Sequence, residues 1–546
     1  MTVKTTTAKG SILLKETKTV SARGSIGPTQ AFLTEVEKTI RSFSQKVEIM
    51  WDGAIWTDES DYIVSARANE RLAIDSGGGV ASTLDVELDN STERFTPDNS
   101  SSPIYGYIKP RVGIRISIIM GGYTYRLFTG YIKNIHPDTR TRVCSLECYD
   151  NQVLVYNKRA NGIVYQDKRS DQLLSTLSGL AGLTEEQYEF DVGTHAVNFG
   201  YFEDRNVWPI MGEIGVAERG RVFFNREGVL KFWNRDKLHN KRSCMDLTLE
   251  SHITELDYSV AEHEIKNVII VQATPRASAG VDIVWSSGNA EYLNPYTDTL
   301  VYIPKNSIQL ATLELEDPCT TFITPIPNID YEANSAQDGN DDDLTDNIVI
   351  HEFINYGNSV FINVLNIGST DAFLTKFQVR GNAAKILKWI RVTATDDQSI
   401  NSYGRQEFKI ENHFIDSEDS AREIADEELY RRKDAVNLFR INIVGIPQLL
   451  CGDVVNVEYR GGEYKEFMVS ELNWSSDDGG FMQKLTLVNP YIFPPRKTFN
   501  ARASIVSALY TIQTKAKLTG AKNVVSKGSI KLTTTRTIMG KGKITG

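Results

Sequence analysis

The 546-residue sequence predicts a mainly β, multi-domain protein, and three observations predict it. Apolar residues recur at every second position in many short stretches, as on one face of a half-buried strand. Gly-rich turn signals cut those stretches into hairpins. Helical spacing is confined to a few segments. At roughly 150 residues per domain, this length suits three or four domains. Apolar residues make up 41% of the chain and charged ones 24%, enough for several cores. The expected architecture has two barrel-like domains, a small helical and hairpin insertion, a β-sandwich-like insertion, and β-repeat tails at both termini.

Residues 1–45 read as a basic repeat tail and a linker helix. Ala8-Lys9-Gly10-Ser11-Ile12 recurs as Ala22-Arg23-Gly24-Ser25-Ile26. Further copies begin at Ala501, Thr514, Ser526 and Gly540, at spacings of 13, 12 and 14, within a C-terminal tail over 495–546. Small residues alternating with Lys, Ser or Ile suit short strands with one thin apolar side. One such unit buries too little to stand alone. Disordered basic tails are the other reading. The net charge of −10 hides an asymmetry: residues 1–26 carry +4, residues 496–546 carry +11, and the middle carries −25. Basic ends on an acidic body suit docking on neighbouring acidic subunits. Thr34 to Ser44, with Val36, Ile40 and Phe43 apolar, is expected as a short helix.

The first barrel spans 46–155. Val47–Ile49, Ser82–Leu88, Gly113–Ile118, Tyr123–Phe128 and Val143–Cys148 alternate, and Gly77-Gly78-Gly79 and Gly121-Gly122 break them. In the insertion over 156–255, Leu173, Leu174, Leu177 and Leu180 fall at helical spacing within Gln172–Ala181. Val222-Phe223-Phe224 and Val229–Trp233 then form a hairpin about Asn225–Gly228.

Residues 277–401 read as a β-sandwich-like insertion, with strands at Thr299–Ile303, Ala311–Leu315, Ile348–Ile354, Val360–Val364 and Phe377–Val379. Its acidic loop holds Asp338, Asp341, Asp342, Asp343 and Asp346. An EF-hand needs Gly at its sixth position and Glu at its twelfth; starting at Asp338, Gly falls at the second. A solvated loop is expected, with a weak Ca²⁺ site of another type as the alternative. Trp285, Tyr292 and Tyr296 could stack on a glycan, although aromatics in such an insert usually fill its core.

The second barrel combines 256–276 with 402–494. Its helix, 417–434, starts at a capping-box pattern, Ser420 to Glu423, and buries Ala421, Ile424, Ala425 and Leu429. From Phe439 the period becomes two, with Phe439, Ile441 and Ile443 on one face. Gly452-Asp453, Arg460-Gly461-Gly462 and Asp477–Gly480 mark the turns of a meander.

Several of these segments, in this order, resemble baseplate-hub or tail-tip proteins of long-tailed bacteriophages and prophages. They are Leu88-Asp89-Asn90, Phe95-Thr96-Pro97, Arg111-Val112-Gly113, Leu127–Gly130, Tyr149-Asp150, the hairpin closing on Asn234-Arg235, and Ile265-Lys266-Asn267. Leu315–Pro318, Asp330–Asn334, Gln378–Gly381, Gly404–Phe408, Ala421–Arg432, Gly452–Val455 and Leu485–Tyr491 continue the series. The resemblance implies a structural subunit in a ring at the distal end of the tail tube, through whose lumen DNA passes. A trimer is what it most often implies, with a six-fold ring as the alternative. The partners implied are tail-tube and distal tail proteins, a tape-measure protein, and tail fibres or receptor-binding proteins. The implied location is the virion, after synthesis in the host cytoplasm.

Nothing in the sequence selects a catalytic site, and no cofactor is expected. Seven isolated histidines, His136, His195, His239, His252, His263, His351 and His413, form no zinc-protease motif, and no nucleophile elbow or phosphate loop appears. Cys144, Cys148, Cys244, Cys319 and Cys451 are scattered and expected to be free. No apolar run approaches the roughly 18 residues of a membrane helix, and no signal peptide is visible. The alternative function is a carbohydrate-binding tail adhesin that uses the 277–400 insertion. A wall hydrolase is the third class.

Overall fold

The period-two stretches become strands, and the strands gather around three apolar cores. The computed structural model describes residues 42–72, 82–160, 162, 164–202, 204–261, 265–287, 302–386, 388–434, 436–477, 479–490, 524–526 and 530–532. The fold is mainly β, as expected. Two units divide the chain, Met1–Ile492 and Phe493–Gly546. In the second, Val524–Ser526 pairs antiparallel with Ile530–Leu532, a pairing that brackets the Ser526–Ile530 repeat copy. The other repeat copies, the Gly77–Gly79 break and most of the expected 34–44 helix lie outside the described residues. Phe43 and Ser44, assigned to that helix by sequence, instead open the strand Phe43–Met50.

Thirteen strands of the first unit form one sheet. Its path runs from Ile253–Ala261 through Val436–Val444, Gly480–Val488, Glu463–Asp477, Ile63–Arg71, Thr83–Asp89 and Val143–Asp150. It continues through Tyr123–Asp138, Gly113–Met120 and Phe43–Met50 to Thr57–Asp58. Strands from residues 43–150 and 436–488 are therefore continuous, and the join is Ala66–Arg71 against Glu471–Ser476. Among the described residues the ladder does not close into a barrel. Two long strands shape it. Glu463–Asp477 pairs along one edge first with Val454–Arg460 and then with Ile63–Arg71. Tyr123–Asp138 pairs with Gly113–Met120 along one edge and with Val143–Asp150 along the other. Inward side chains from both regions, from Val47 and Ile116 to Trp474 and Leu487, share one core. Gly130 sits where Tyr123–Asp138 changes partner, and a Cβ there would lie 2.2 Å from the Tyr149 carbonyl oxygen.

The second core joins the helices Ser170–Ala181, Val207–Glu218 and Glu418–Arg432 to the Arg221–Phe224 and Leu230–Trp233 hairpin. A three-stranded sheet completes it, with Val268–Ala273 between antiparallel Ile390–Thr395 and parallel Glu407–Asn412. Leu173, Leu174 and Leu177 are buried as the helical spacing requires, but Leu180 is 44% exposed at the end of its helix. Helix Glu418–Arg432 buries Ala421, Ile424 and Ala425, and Leu429 packs against the same core. Its cap lies three residues before the capping box read from sequence: Ser417 Oγ accepts from Ser420 N at 3.1 Å. Ser420 is thus already helical, and Glu423 is free to reach Arg219 instead.

The third core lies between two sheets of the insertion. One is centred on Ala372–Ile386, which pairs with Arg276–Ser286, Tyr302–Ile303, Cys319–Ile323 and Tyr331–Asn334. The other places Ser359–Asn366 between Ser307–Glu314 and Ile348–Asn355.

Candidate functional surfaces

The motif segments are held to each other by specific bonds, some local and some between segments far apart in sequence. Asn90 Oδ1 accepts from Phe95 N at 2.8 Å, and its Nδ2 donates to Thr96 Oγ1 at 3.0 Å. Asn151 Nδ2 donates to the Gly228 carbonyl at 2.7 Å, seating the hairpin turn beside Asp150. Asn267 is fully buried; its Nδ2 donates to the Gly404 carbonyl at 2.7 Å, and its Oδ1 accepts from Gln406 N at 2.8 Å. Arg380 grips Asp330 through both carboxylate oxygens, at 2.7 and 2.8 Å. Such forked pairs fix geometry as well as contributing energy.

Three buried charge clusters brace the cores. Arg226, on the hairpin turn, donates to Glu70 Oε1 at 2.8 Å and to the carbonyls of Pro447 and Leu449 at 2.7 and 2.9 Å. Burial pushes the Glu70 carboxyl up, against the pull of Arg226. Glu218 accepts from Ser170 Oγ, from Thr194 N and Oγ1, and from His195 N. Glu427 meets buried His239 at 3.0 Å and Arg219 at 3.1 Å. Burial opposes its ionisation, but His239 and Arg219 hold its carboxyl below the usual range. None of these was readable from sequence, because each partner lies in a different segment.

The sequence-selected residues fall mostly into structural roles. In the acidic loop, Asn334 Nδ2 donates to the Asp341 carbonyl and its Oδ1 accepts from Asp341 N, closing the turn. Asp343 Oδ1 accepts from Thr345 N and Oγ1, and Asp338 Oδ1 from Asn340 N. Asp342 N donates to Ser335 Oγ, and Asp346 lies in the short 3-10 turn Thr345–Asn347. Among the described residues, no group of three or more His, Cys, Asp or Glu side chains is placed to hold a metal ion. Trp285 is half-buried and meets Phe377 edge-on at 6.1 Å, within the insertion core. Tyr292, Tyr296 and His263 lie outside the described residues. The five cysteines are free thiols; burial pushes Cys144 up to about 12 and Cys319 to about 11. His195 Nε2 meets the Phe414 carbonyl at 2.8 Å, and His413 Nδ1 meets Thr274 Oγ1 at 2.6 Å. Among the described residues no helix is long and apolar enough to cross a membrane.

Two outward surfaces stand apart. On the insertion, Ile308, Leu365 and Val349 form one row across three strands, with exposed Leu310 and Ile354 in neighbouring rows. On the large sheet, the row Lys46–Ser117–Arg126 lies next to the row Glu48–Arg115–Thr129. Arg115 grips Glu48 at 2.8 and 3.0 Å, Lys46 reaches it at 2.9 Å, and Arg126 stands 3.8 Å away. The Arg115 side chain, first among these, holds the Glu48 carboxyl down at about 2. Arg126 also lines a cavity of about 760 Å³ whose walls include Tyr125, Arg226, Glu227 and Trp233.

The chain matches no protein-family model and no curated protein. Among solved structures it is similar to a 43 kDa tail protein of prophage MuSo2 from Shewanella oneidensis. Identity is 12%, TM-score 0.46, with 82% of this chain and 99% of that one covered. Its structural neighbours include phage and prophage tail proteins and type VI secretion components. A tail protein from Neisseria meningitidis aligns at 10% identity and TM-score 0.46, covering 83% of this chain and 98% of that one. An Escherichia coli component of the type VI secretion system, described as similar to T4 tail proteins, aligns at 10% identity and TM-score 0.37. That alignment covers 79% of this chain and 74% of the other.

Proposed function

We propose that this chain is a structural subunit of a phage tail tip, a baseplate hub that closes head-to-tail into a ring. The observation that carries the reading is the meeting of the hub-like segments. Asn90 with Phe95 and Thr96, Asn267 with Gly404 and Gln406, and Asp330 with Arg380 join motif to motif across up to 139 residues. A chance set of short matches has no reason to pair in this way. In this reading the modules 46–155 and 256–276 with 402–494 build the ring, and 277–401 projects from it. The terminal basic repeats dock on neighbouring subunits. A heterologous contact that closes leaves no free end and encloses a channel. The subunit then works by shape, anchoring host-recognition proteins and continuing the tail tube at its distal end, without turning over a substrate. The outward apolar row on the insertion supports contact with further tail components, since such patches mark interaction sites.

Native mass spectrometry of the full chain, with class averages of the same sample, tests this reading. Rings of three are expected, with six as the alternative closure. Antibody label on virions is expected at the far end of the tail. A lone monomer without a channel, or label elsewhere on the particle, overturns it. Glycan-array binding without ring formation would favour the adhesin instead.

A further inference from the structure

We infer that the outward row Lys46–Ser117–Arg126 is a binding site for a tetrahedral oxyanion, a phosphate or sulfate group. Three strands place these side chains side by side, and strand spacing of about 4.8 Å lets the two long cations converge over the serine. The strand Tyr123–Asp138 carries an extra residue at Leu127, where the register shifts between Ile116 and Ser117. Such a bulge re-aims the neighbouring side chain, here Arg126.

Two observations point to a ligand. Ser117 is 0% exposed although it lies on the outward face, and its Oγ has no hydrogen-bond partner among the described residues. Arg126 Nη1 is likewise buried without a hydrogen-bond partner, its nearest carboxylate oxygen lying 3.8 Å off on Glu48. Buried donors of this kind are costly when unmet. The charge around the row is also unbalanced: three cations, Lys46, Arg115 and Arg126, stand within 4 Å of the same single carboxylate, Glu48.

Donor geometry selects the anion. The planar fork of Arg115 is already occupied by the carboxylate of Glu48, and its guanidinium lies 4.3 Å from the Trp56 ring centre. The remaining donors belong to three separate side chains: the Ser117 hydroxyl, Arg126 Nη1, and the N–H groups of the Lys46 ammonium beyond the one that meets Glu48. Three converging donors suit an anion with three or more acceptor oxygens better than a flat carboxylate. The lysine and both arginines remain between 23% and 35% exposed, so rotation of the Lys46 and Arg126 side chains opens the buried hydroxyl and Nη1 to an anion.

Calorimetric titration of the full chain in low-salt buffer tests the site. Inorganic phosphate, glycerol 3-phosphate and dimethyl phosphate serve as separate probes. Saturable binding of inorganic phosphate is expected, weakening as ionic strength rises. Preference for glycerol 3-phosphate would assign the site to a phosphate ester, and preference for dimethyl phosphate to a diester. Arg126→Gln should lower affinity at least about tenfold, as removal of a charge-assisted bond does. Lys46→Gln should lower it less, and Lys484→Gln, on another exposed surface, should leave it unchanged. No saturable binding, or equal binding in Arg126→Gln and the parent, overturns the site. Neither result touches the ring.

Discussion

Arg226 ties the second core to the first, and replacing it should show what that tie contributes. In Arg226→Met the Glu70 carboxylate loses its cation, and the carbonyls of Pro447 and Leu449 each lose a donor. Both ion-pair side chains are 10% exposed or less, so water cannot readily take the place of the guanidinium. Breaking a buried pair from one side costs about 3–5 kcal/mol. Proton uptake by Glu70 limits that cost, because burial already raises its folded pKa. The sign follows. A raised folded pKa favours the native state below the unfolded value and loses that contribution as pH rises. The destabilisation in Arg226→Met should therefore be larger at pH 7 than at pH 4. Urea unfolding followed by tryptophan fluorescence at both values measures it. Adding Glu70→Gln removes the stranded charge and should recover about 2 kcal/mol, a coupling far outside additivity. A loss below about 1 kcal/mol, or additive effects in the double variant, would refute the reasoning.

Two further outcomes are expected. Gly130→Ala would press a methyl group to within 2.2 Å of the Tyr149 carbonyl and 2.8 Å of the Phe128 ring. Overpacking of this kind costs about 1–3 kcal/mol, and a drop in thermal midpoint with unchanged secondary structure would report it. Glu48 has a folded pKa lowered from 4.5 to about 2, so its contribution is present above pH 4.5 and fades as pH falls towards 2. With solvent screening at Lys46 and Arg115, Glu48→Gln should cost about 2 kcal/mol at pH 7. The gap between variant and parent should close on acidification; a constant gap from pH 7 to pH 3 would count against the ion network.

The C-terminal meander was legible because alternation and Gly turns agree there: Phe439, Ile441 and Ile443 are all buried, and the hairpins fall where Gly462 and Gly480 allow positive φ. The strand that joins the two halves of the sheet was not. Ile63–Arg71 presents Ala66, Ala68 and Glu70 inward, too small or too polar to announce a buried face. Helix Val207–Glu218 was missed for the opposite reason, being apolar on nearly every side and so without a period to detect. Helix Glu418–Arg432 was legible from its apolar spacing, with the expected start at 417 matching the Ser417 cap, but the capping box was read at Ser420 because Ser417 and Ser420 are equally good caps until the buried face fixes the first turn. Motif segments could be read one at a time, whereas the bonds joining Asn267 to Gly404 or Asp330 to Arg380 depend on folding. The same holds for the cationic row: Lys46, Ser117 and Arg126 are ordinary polar positions until register brings them together.

Pairing of Ile63–Arg71 with Glu471–Ser476 has a consequence for biosynthesis. Asn69 and Glu471 are bonded across 402 residues. At about 5–20 residues per second, a ribosome needs roughly 20–80 s to supply the second strand after the first has emerged. Through that interval the nascent N-terminal half carries an unmet strand border, the kind of template that recruits foreign chains. Alternating Ser65, Arg67, Asn69 and Arg71 along it supply the polar, partly charged guard such a wait requires.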